Sequence, residues 1–280
     1  MHRRTFLQSS AATLGGLAAF GPALAMSRSD IPARLGVQLY TLRDIFPGDF
    51  VGVLEAVKRI GYDEVEFAGY HERDPQAVRA VLDDIGLTAP ATHVPIDFLR
   101  DNLDGVLETA NVVGHEYVVL PWLIEDQRPD SLDGYRRLAE ELNGWGERAQ
   151  TAGVQVAYHN HAFEFDRFGG DTPGYDAMLQ EADPDLVDFE MDLYWVTEAG
   201  YDPVAYFERY PGRFPLFHVK DRTLTGEMTP VGAGDIDFAR IFDHAEQAGL
   251  RHAFVEHDNP GDEPLESIAA SYAHLESLRS

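Results

Sequence analysis

The chain has 280 residues, of which 44% are hydrophobic, 25% charged and 11% aromatic; that is enough apolar content for a sizeable core and gives no sign of disorder or collagen-like structure. Its 22 lysines and arginines stand against 48 aspartates and glutamates, a formal charge of −26, which repels phosphate backbones and argues against nucleic-acid partners. There is no cysteine, so disulfides, thiolate metal sites and cysteine nucleophiles are excluded together.

Residues 1–25 read as an export signal. A positive start (His2, Arg3, Arg4) leads into small and apolar residues from Ala11 to Phe20, and Ala23-x-Ala25 is the small-residue pattern of a cleavage site. The run Arg3-Arg4-Thr5-Phe6-Leu7-Gln8 resembles the twin-arginine signal of proteins exported already folded. The stretch is short and glycine-interrupted for a spanning helix. The expectation is a cleaved signal, a mature domain over 26–280, a periplasmic or otherwise extracytoplasmic location, and no stable membrane insertion after cleavage.

From residue 33 a short β-rich run, a polar turn and an amphipathic helix alternate repeatedly. Strands are predicted at 36–40, 64–67, 89–93, 117–120, 154–161, 186–192, 216–220 and 253–257. Helices are predicted at 50–60, from Asp74-Pro75 to Gly86, and at 103–113, 132–152, 175–182, 203–210, 238–248 and 265–278. Eight strands alternating with eight helices define a single-domain α/β chain, a (β/α)₈ TIM barrel. An open doubly wound sheet is the structural alternative, and no G-x-G-x-x-G follows the first strand to support it.

Alternation along the strands sorts their side chains. Val187, Phe189 and Met191 face the helices, which turns Asp188, Glu190 and Asp192 toward the barrel axis. By the same phase His218 and Lys220, Phe254 and Glu256, and Ala157, His159 and His161 point inward. Four successive strands therefore bring His159 or His161, Asp192, His218 and Glu256 to the C-terminal rim, where barrel enzymes keep their sites. Buried charges of this kind need pairing or a metal, and imidazole with carboxylate suits Mn, Zn, Co or Fe.

The segments GVQLYTLRD (36–44), YHNHAFEF (158–165), FEMDLYW (189–195), HVKD (218–221), VGAGDIDF (231–238) and FVEHD (254–258) resemble the sugar phosphate isomerase/epimerase superfamily, whose members have the xylose-isomerase-like barrel. That resemblance implies one divalent ion (Mn, Zn, Co or Mg) held by Glu, Asp, His and Glu from strands five to eight. The last three fall on Asp192, His218 and Glu256. The first falls on His159, where those epimerases carry glutamate, and Ala233 stands where glutamate is common.

The resemblance further implies a metal-dependent sugar isomerase or epimerase that abstracts a proton beside a metal-bound carbonyl, with Glu256 as one base. His161, Glu164 or Lys220 would then serve in place of the missing carboxylate, His161 and Lys220 being preferred. The histidine-rich fifth strand also resembles the inosose dehydratase and 3-keto-sugar branches, which makes a lyase or hydratase the alternative. Glu66, His93, Glu164 and Trp195 are candidates to hold the carbohydrate substrate, with Trp122 near the same rim. A nearby metal is expected to lower the pKa of Lys220, or else Asp221 or another nearby carboxylate pairs with it. A DNA-repair endonuclease is disfavoured by the charge; a non-catalytic sugar-binding barrel is the remaining rival, and a homo-oligomer is possible. Replacing Arg3 and Arg4 by lysine is expected to hold the protein in the cytoplasm, as read by fractionation; normal export of that variant would remove the twin-arginine reading.

Overall fold

The structure, a computed structural model, describes residues 31–279; the expected signal segment at 1–25 lies outside the described residues. Eight parallel strands close into one barrel: β1 (Gly36–Gln38), β2 (Glu64–Phe67), β3 (Thr88–His93), β4 (Tyr117–Leu120), β5 (Gln155–His159), β6 (Val187–Asp192), β7 (Leu216–Val219) and β8 (His252–Val255). Sequence neighbours are spatial neighbours throughout. The last strand pairs back to the first through Gly36 with Phe254 and Val37 with Val255. An antiparallel ribbon of Asp221–Arg222 with Met228–Thr229 rises beyond β7.

The helices between the strands are α1 (Phe50–Ile60), α2 (Pro75–Ile85), α3 (Ile96–Val113), α4 (Leu132–Ala152), α5 (Gly174–Glu181), α6 (Leu193–Glu198), α7 (Pro203–Arg209), α8 (Phe238–Phe242), α9 (Ala245–Ala248) and α10 (Pro264–Leu278). Their starts follow capping chemistry: Asp49, Asp74, Ser131 and Asp202 each accept a backbone N–H from the first turn. None of the described helices is long and apolar enough to cross a membrane.

Three elements differ from expectation for local reasons. The helix expected from 103 begins at Ile96, but Asn102 breaks it with φ −151°, and its side chain caps Gly105 N–H at 3.2 Å. The helix expected over 238–248 divides into α8 and α9. The short α6, not anticipated, is started by the Asp192 carboxylate, which accepts the Trp195 N–H at 3.0 Å.

The outward strand residues, among them Val37, Val65, Val156, Phe189, Phe217 and Val255, are buried under the helices in the main core. Inside the barrel a second apolar cluster of Ala91, Tyr117, Val119, Ala157, Leu216 and Phe254 forms the floor. Two residues further along β3, β5, β7 and β8 the inward positions become His93, His159, His218 and Glu256. The inner wall thus changes from apolar to ionisable within one step of the pleat.

Phe254 fits into this floor only because Gly36 has no side chain. A Cβ there would stand 2.4 Å from Phe254 Cδ1 and 2.7 Å from Cε1. Gly36→Ala is expected to cost about 1–3 kcal/mol in urea unfolding, the range of overpacked cores. Combining it with Phe254→Leu should cost less than the sum of the two single changes.

Candidate active site

Above the apolar floor the inward side chains form two tiers. The lower tier contains Gln38, Glu66, His93, His159, Glu190 and His218. His218 Nε2 lies 2.6 Å from Glu66 Oε2 and 3.2 Å from Glu190 Oε2. His93 Nε2 is 2.8 Å, and His159 Nδ1 3.0 Å, from the same Glu190 oxygen. Gln38 Nε2 donates to Glu66 Oε2 at 2.8 Å, while the Gln38 carbonyl oxygen accepts the N–H of Tyr40, where β1 turns into a 3₁₀ segment.

The upper tier contains Asp192, Lys220, Glu256 and Asp258. Lys220 Nζ stands 2.9 Å from Asp192 Oδ2, 2.6 Å from Glu256 Oε2 and 3.1 Å from Asp258 Oδ1. The tiers meet at two imidazoles. His218 Nδ1 is 2.8 Å from Glu256 Oε2, and His159 Nε2 is 3.6 Å from Asp192 Oδ2. The Asp192↔His218 and His159↔Glu190 pairs in the strand register place these side chains side by side.

Burial sets the protonation states. It pushes the His218 imidazole down to about 3 and, with His218, His93 and Lys220 nearby, holds His159 well below the usual histidine range. Both rings are therefore neutral, the form that can ligate a metal. Burial raises Asp192 to about 7 although Lys220 opposes it. Glu66 is raised by burial and by its neighbours Glu190 and Glu256. In Glu190 burial is outweighed by the imidazoles of His218 and His93, and the carboxyl is held low.

Of the two expectations for Lys220, pairing with nearby carboxylates is the one the structure shows. Burial alone would lower it, but Asp192, Glu256 and Asp258 outweigh burial and hold the ammonium well above the usual lysine range. Its partner is not Asp221. That carboxylate accepts the N–H groups of Gly232, Gly234 and Ile236 at 2.8, 3.0 and 3.2 Å, which ties the VGAGDIDF loop to the end of β7.

A cavity of about 510 Å³ opens over the upper tier, lined among others by His93, His159, His161, Trp195, Lys220 and Glu256; this is a size that suits small-molecule ligands. Trp122, 43% exposed, meets His161 edge to face at 4.4 Å and carries the Arg128 guanidinium 4.7 Å over its ring. His161 lies past the end of β5, yet it reaches the cavity wall.

Two expected substrate contacts are placed elsewhere. Glu66 is fully buried in the lower tier, below the cavity and against Gln38 and His218. Glu164 is buried behind the wall, where it accepts the Tyr158 O–H at 2.7 Å and the His161 N–H at 2.9 Å; Tyr158 points out toward the helices, and Glu164 follows it. Glu190 and Asp258 are the residues that sequence reasoning did not assign. The inward phase of Glu190 was readable, whereas its convergence with three histidines required the closed barrel.

The donor set fits a divalent cation. Ligand atoms of Asp192, His218 and Glu256 lie within 4.8 Å of one another, all three residues buried. Asp192 Oδ1 takes the cap to Trp195, while the buried Oδ2 faces the Lys220 ammonium at 2.9 Å without a well-aligned hydrogen bond. His93, His159, Glu190 and His218 form a second convergent group with the same spread.

A parallel barrel with an imidazole–carboxylate cluster at its C-terminal mouth has the architecture of the barrel enzymes, which keep their sites at that face. The family model for the xylose isomerase-like TIM barrel matches residues 54–278, and the chain belongs to that family. It is 25% identical over 237 residues to an inosose dehydratase of Lacticaseibacillus casei, covering 71% of this chain and 78% of that one. A sugar phosphate isomerase/epimerase structure from Parabacteroides distasonis ATCC 8503 superposes with a TM-score of 0.75 at 26% identity, covering 93% of this chain and 98% of the other. The IOLI protein, solved with a bound zinc atom, shares the fold at a TM-score of 0.72 and 16% identity over 88% of this chain and 98% of its own.

Burial raises the Glu164 carboxyl to about 7, against about 4.3 for an unfolded glutamate. Between those values the folded chain binds more protons than the unfolded one, so this group lowers stability as pH rises from about 4.3 to 7, by roughly 3 kcal/mol in all. Urea unfolding across that window should fall less steeply for Glu164→Gln than for the unmodified chain, and parallel curves would contradict the assignment.

Proposed function

We propose that this chain removes a proton from the carbon beside the carbonyl of a keto-sugar or inosose-like ring, and that loss of a β-hydroxyl as water follows. The observation that carries this reading is the pairing of Glu256 and Lys220, 2.6 Å apart on the wall of the cavity. Elimination needs one base and one acid on neighbouring carbons. Epimerisation needs two bases on opposite faces, and in place of a carboxylate the end of β5 carries His159, with His161 just past it, both held well below the usual histidine range by burial and so weak as bases. The named activity of the dehydratase relative supports the same choice.

His159, Asp192, His218 and Glu256 are the donors we assign to one divalent ion. The zinc of the IOLI protein supports a cation in this barrel, and the neutral nitrogen and carboxylate donors suit zinc, manganese or cobalt. Such an ion supplies Lewis-acid polarisation of a carbonyl oxygen, which makes the neighbouring C–H acidic enough for a carboxylate.

The protein's own groups carry the rest. Glu256 Oε2 is engaged by Lys220, so Oε1 is the oxygen available to receive the carbon-bound proton. As the C–H electron pair forms the new C=C bond, the β C–O bond breaks and Lys220 Nζ passes a proton to the departing oxygen, releasing water. Glu256 then holds one proton and Lys220 lacks one; exchange between them over 2.6 Å restores both. Asp192 and Asp258 hold the ammonium in place, and Trp195 with His161 walls the ring in.

The test is a screen of inososes, keto-sugars and 3-keto glycosides with manganese-loaded protein in D₂O, followed by NMR. Glu256→Gln should suppress deuterium exchange at the acidic carbon by about 100-fold or more, the scale of acid–base catalysis. Lys220→Met should slow water release more than exchange. Near wild-type exchange by Glu256→Gln would leave Glu256 only a ligand, and exchange with no loss of hydroxyl would make the enzyme an isomerase or epimerase.

A further inference from the structure

His159 occupies the strand position where the resemblance implies a glutamate ligand. A neutral imidazole can take over only if its single N–H is held on one side, leaving the lone pair of the other nitrogen for the ion. Glu190 lies beside it in the β5–β6 register with Oε2 3.0 Å from His159 Nδ1, while His159 Nε2 faces Asp192 Oδ2 at 3.6 Å. His218 repeats the arrangement, with Nε2 2.6 Å from Glu66 Oε2 and Nδ1 2.8 Å from Glu256 Oε2. Each ring therefore turns one nitrogen to a lower-tier carboxylate and the other to an upper-tier carboxylate.

Among the described residues, the only other hydrogen-bond partners of the lower carboxylates are Gln38 for Glu66 and His93 for Glu190. Glu66 Oε1 and Glu190 Oε1 are buried without any hydrogen-bond partner, and the Oε2 atoms meet only side chains of this tier. Gln38 and His93 brace those same oxygens at 2.8 Å.

We infer that Glu190 and Glu66 are positioning residues that fix the N–H of His159 on Nδ1 and that of His218 on Nε2, so that His159 Nε2 and His218 Nδ1 are the ligating nitrogens. His159 and Glu190 act as a unit in place of a single strand-five carboxylate. This rests on the cation reading above and assigns which atoms serve it. Glu190 differs from the four ligands in that it acts through His159, and Glu66 acts through His218.

The experiment measures Mn²⁺ stoichiometry and affinity by calorimetry for the full chain and for Glu190→Gln, Glu66→Gln, His159→Glu and the double variant His159→Glu/Glu190→Gln, with folding checked by circular dichroism. Loss of an outer-shell partner typically weakens a metal by 10- to 100-fold. The expected result is that each Gln variant keeps one equivalent of Mn²⁺ with a Kd raised by about that factor. His159→Glu alone sets a carboxylate against Glu190 and should bind weakly, and the double variant should recover part of the loss.

Histidine ¹⁵N NMR of the unmodified, Zn²⁺-loaded chain reads the protonated nitrogens directly and needs no variant. Protons on His159 Nδ1 and His218 Nε2 are expected, and the reverse tautomers would overturn the inference. It would also be overturned by unchanged affinity in both Gln variants, or by loss of the ion from Glu190→Gln with full retention in Glu256→Gln. That last outcome would make Glu190 itself a ligand, together with His93, His159 and His218. Absent proton exchange with Glu190-dependent Mn²⁺ binding would remove the proposed reaction and leave this inference standing.

Discussion

The mouth of this barrel depends on one imidazole held between two carboxylates. His218 meets Glu66 on one side at 2.6 Å and Glu256 on the other at 2.8 Å, with no exposure to solvent. At this depth a charge without a partner is costly, so each one has to be matched by a neighbour. Glu66 needs Gln38, Glu256 needs Lys220, and Lys220 needs Asp192 and Asp258. The two tiers are one electrostatic system whose members cannot be altered singly without cost.

The fold supplies this system cheaply. Strand pleating alternates side chains between the helices and the axis, so each strand that begins apolar inside can end ionisable two residues later. The floor of Ala91, Ala157, Leu216 and Phe254 lies two residues before His93, His159, His218 and Glu256 on the same strands. Where the strands stop, the backbone is captured by the site itself: Asp192 starts α6, Gln38 receives the Tyr40 N–H, and Asp221 gathers the loop of 232–236. Positioning and chemistry thus share side chains, which explains why the motifs sit at strand ends. It also explains why Asp192 has one oxygen engaged and the other left facing the lysine.

Strand five carries His159 where the resemblance implies a glutamate, and the structure shows what surrounds it. His159 lies against Glu190, on the adjacent strand and two residues before Asp192. The lower tier therefore gathers three imidazoles and two carboxylates, His93, His159, His218, Glu66 and Glu190. In a family that spans isomerases, epimerases and dehydratases, altering which groups face the cavity as bases is a direct way to change the outcome after a shared first step. Here Glu256 faces the cavity beside a lysine, across from histidines.

By itself, the sequence determined the barrel, because alternating strand and helix periods with glycine and aspartate punctuation admit few other closures. It also determined the inward phase of His159, Glu190, Asp192, His218, Lys220 and Glu256, because a period of two leaves no choice once the apolar face is known. Only the tertiary structure decided how those side chains share their charges. Glu66 was readable as an inward residue, but its place beneath His218 rather than in the cavity depends on strand stagger across the barrel. Glu164 was readable as a carboxylate near the rim, but the chain turns after His159 and buries it against Tyr158. Lys220 was expected to lose basicity beside a metal or to pair with Asp221 or another nearby carboxylate; which carboxylates, three from β6 and from the residues just past β8 and not Asp221, only the closed barrel decided. These outcomes rest on contacts between residues far apart in the chain, and local periodicity carries no information about distance across a closed sheet.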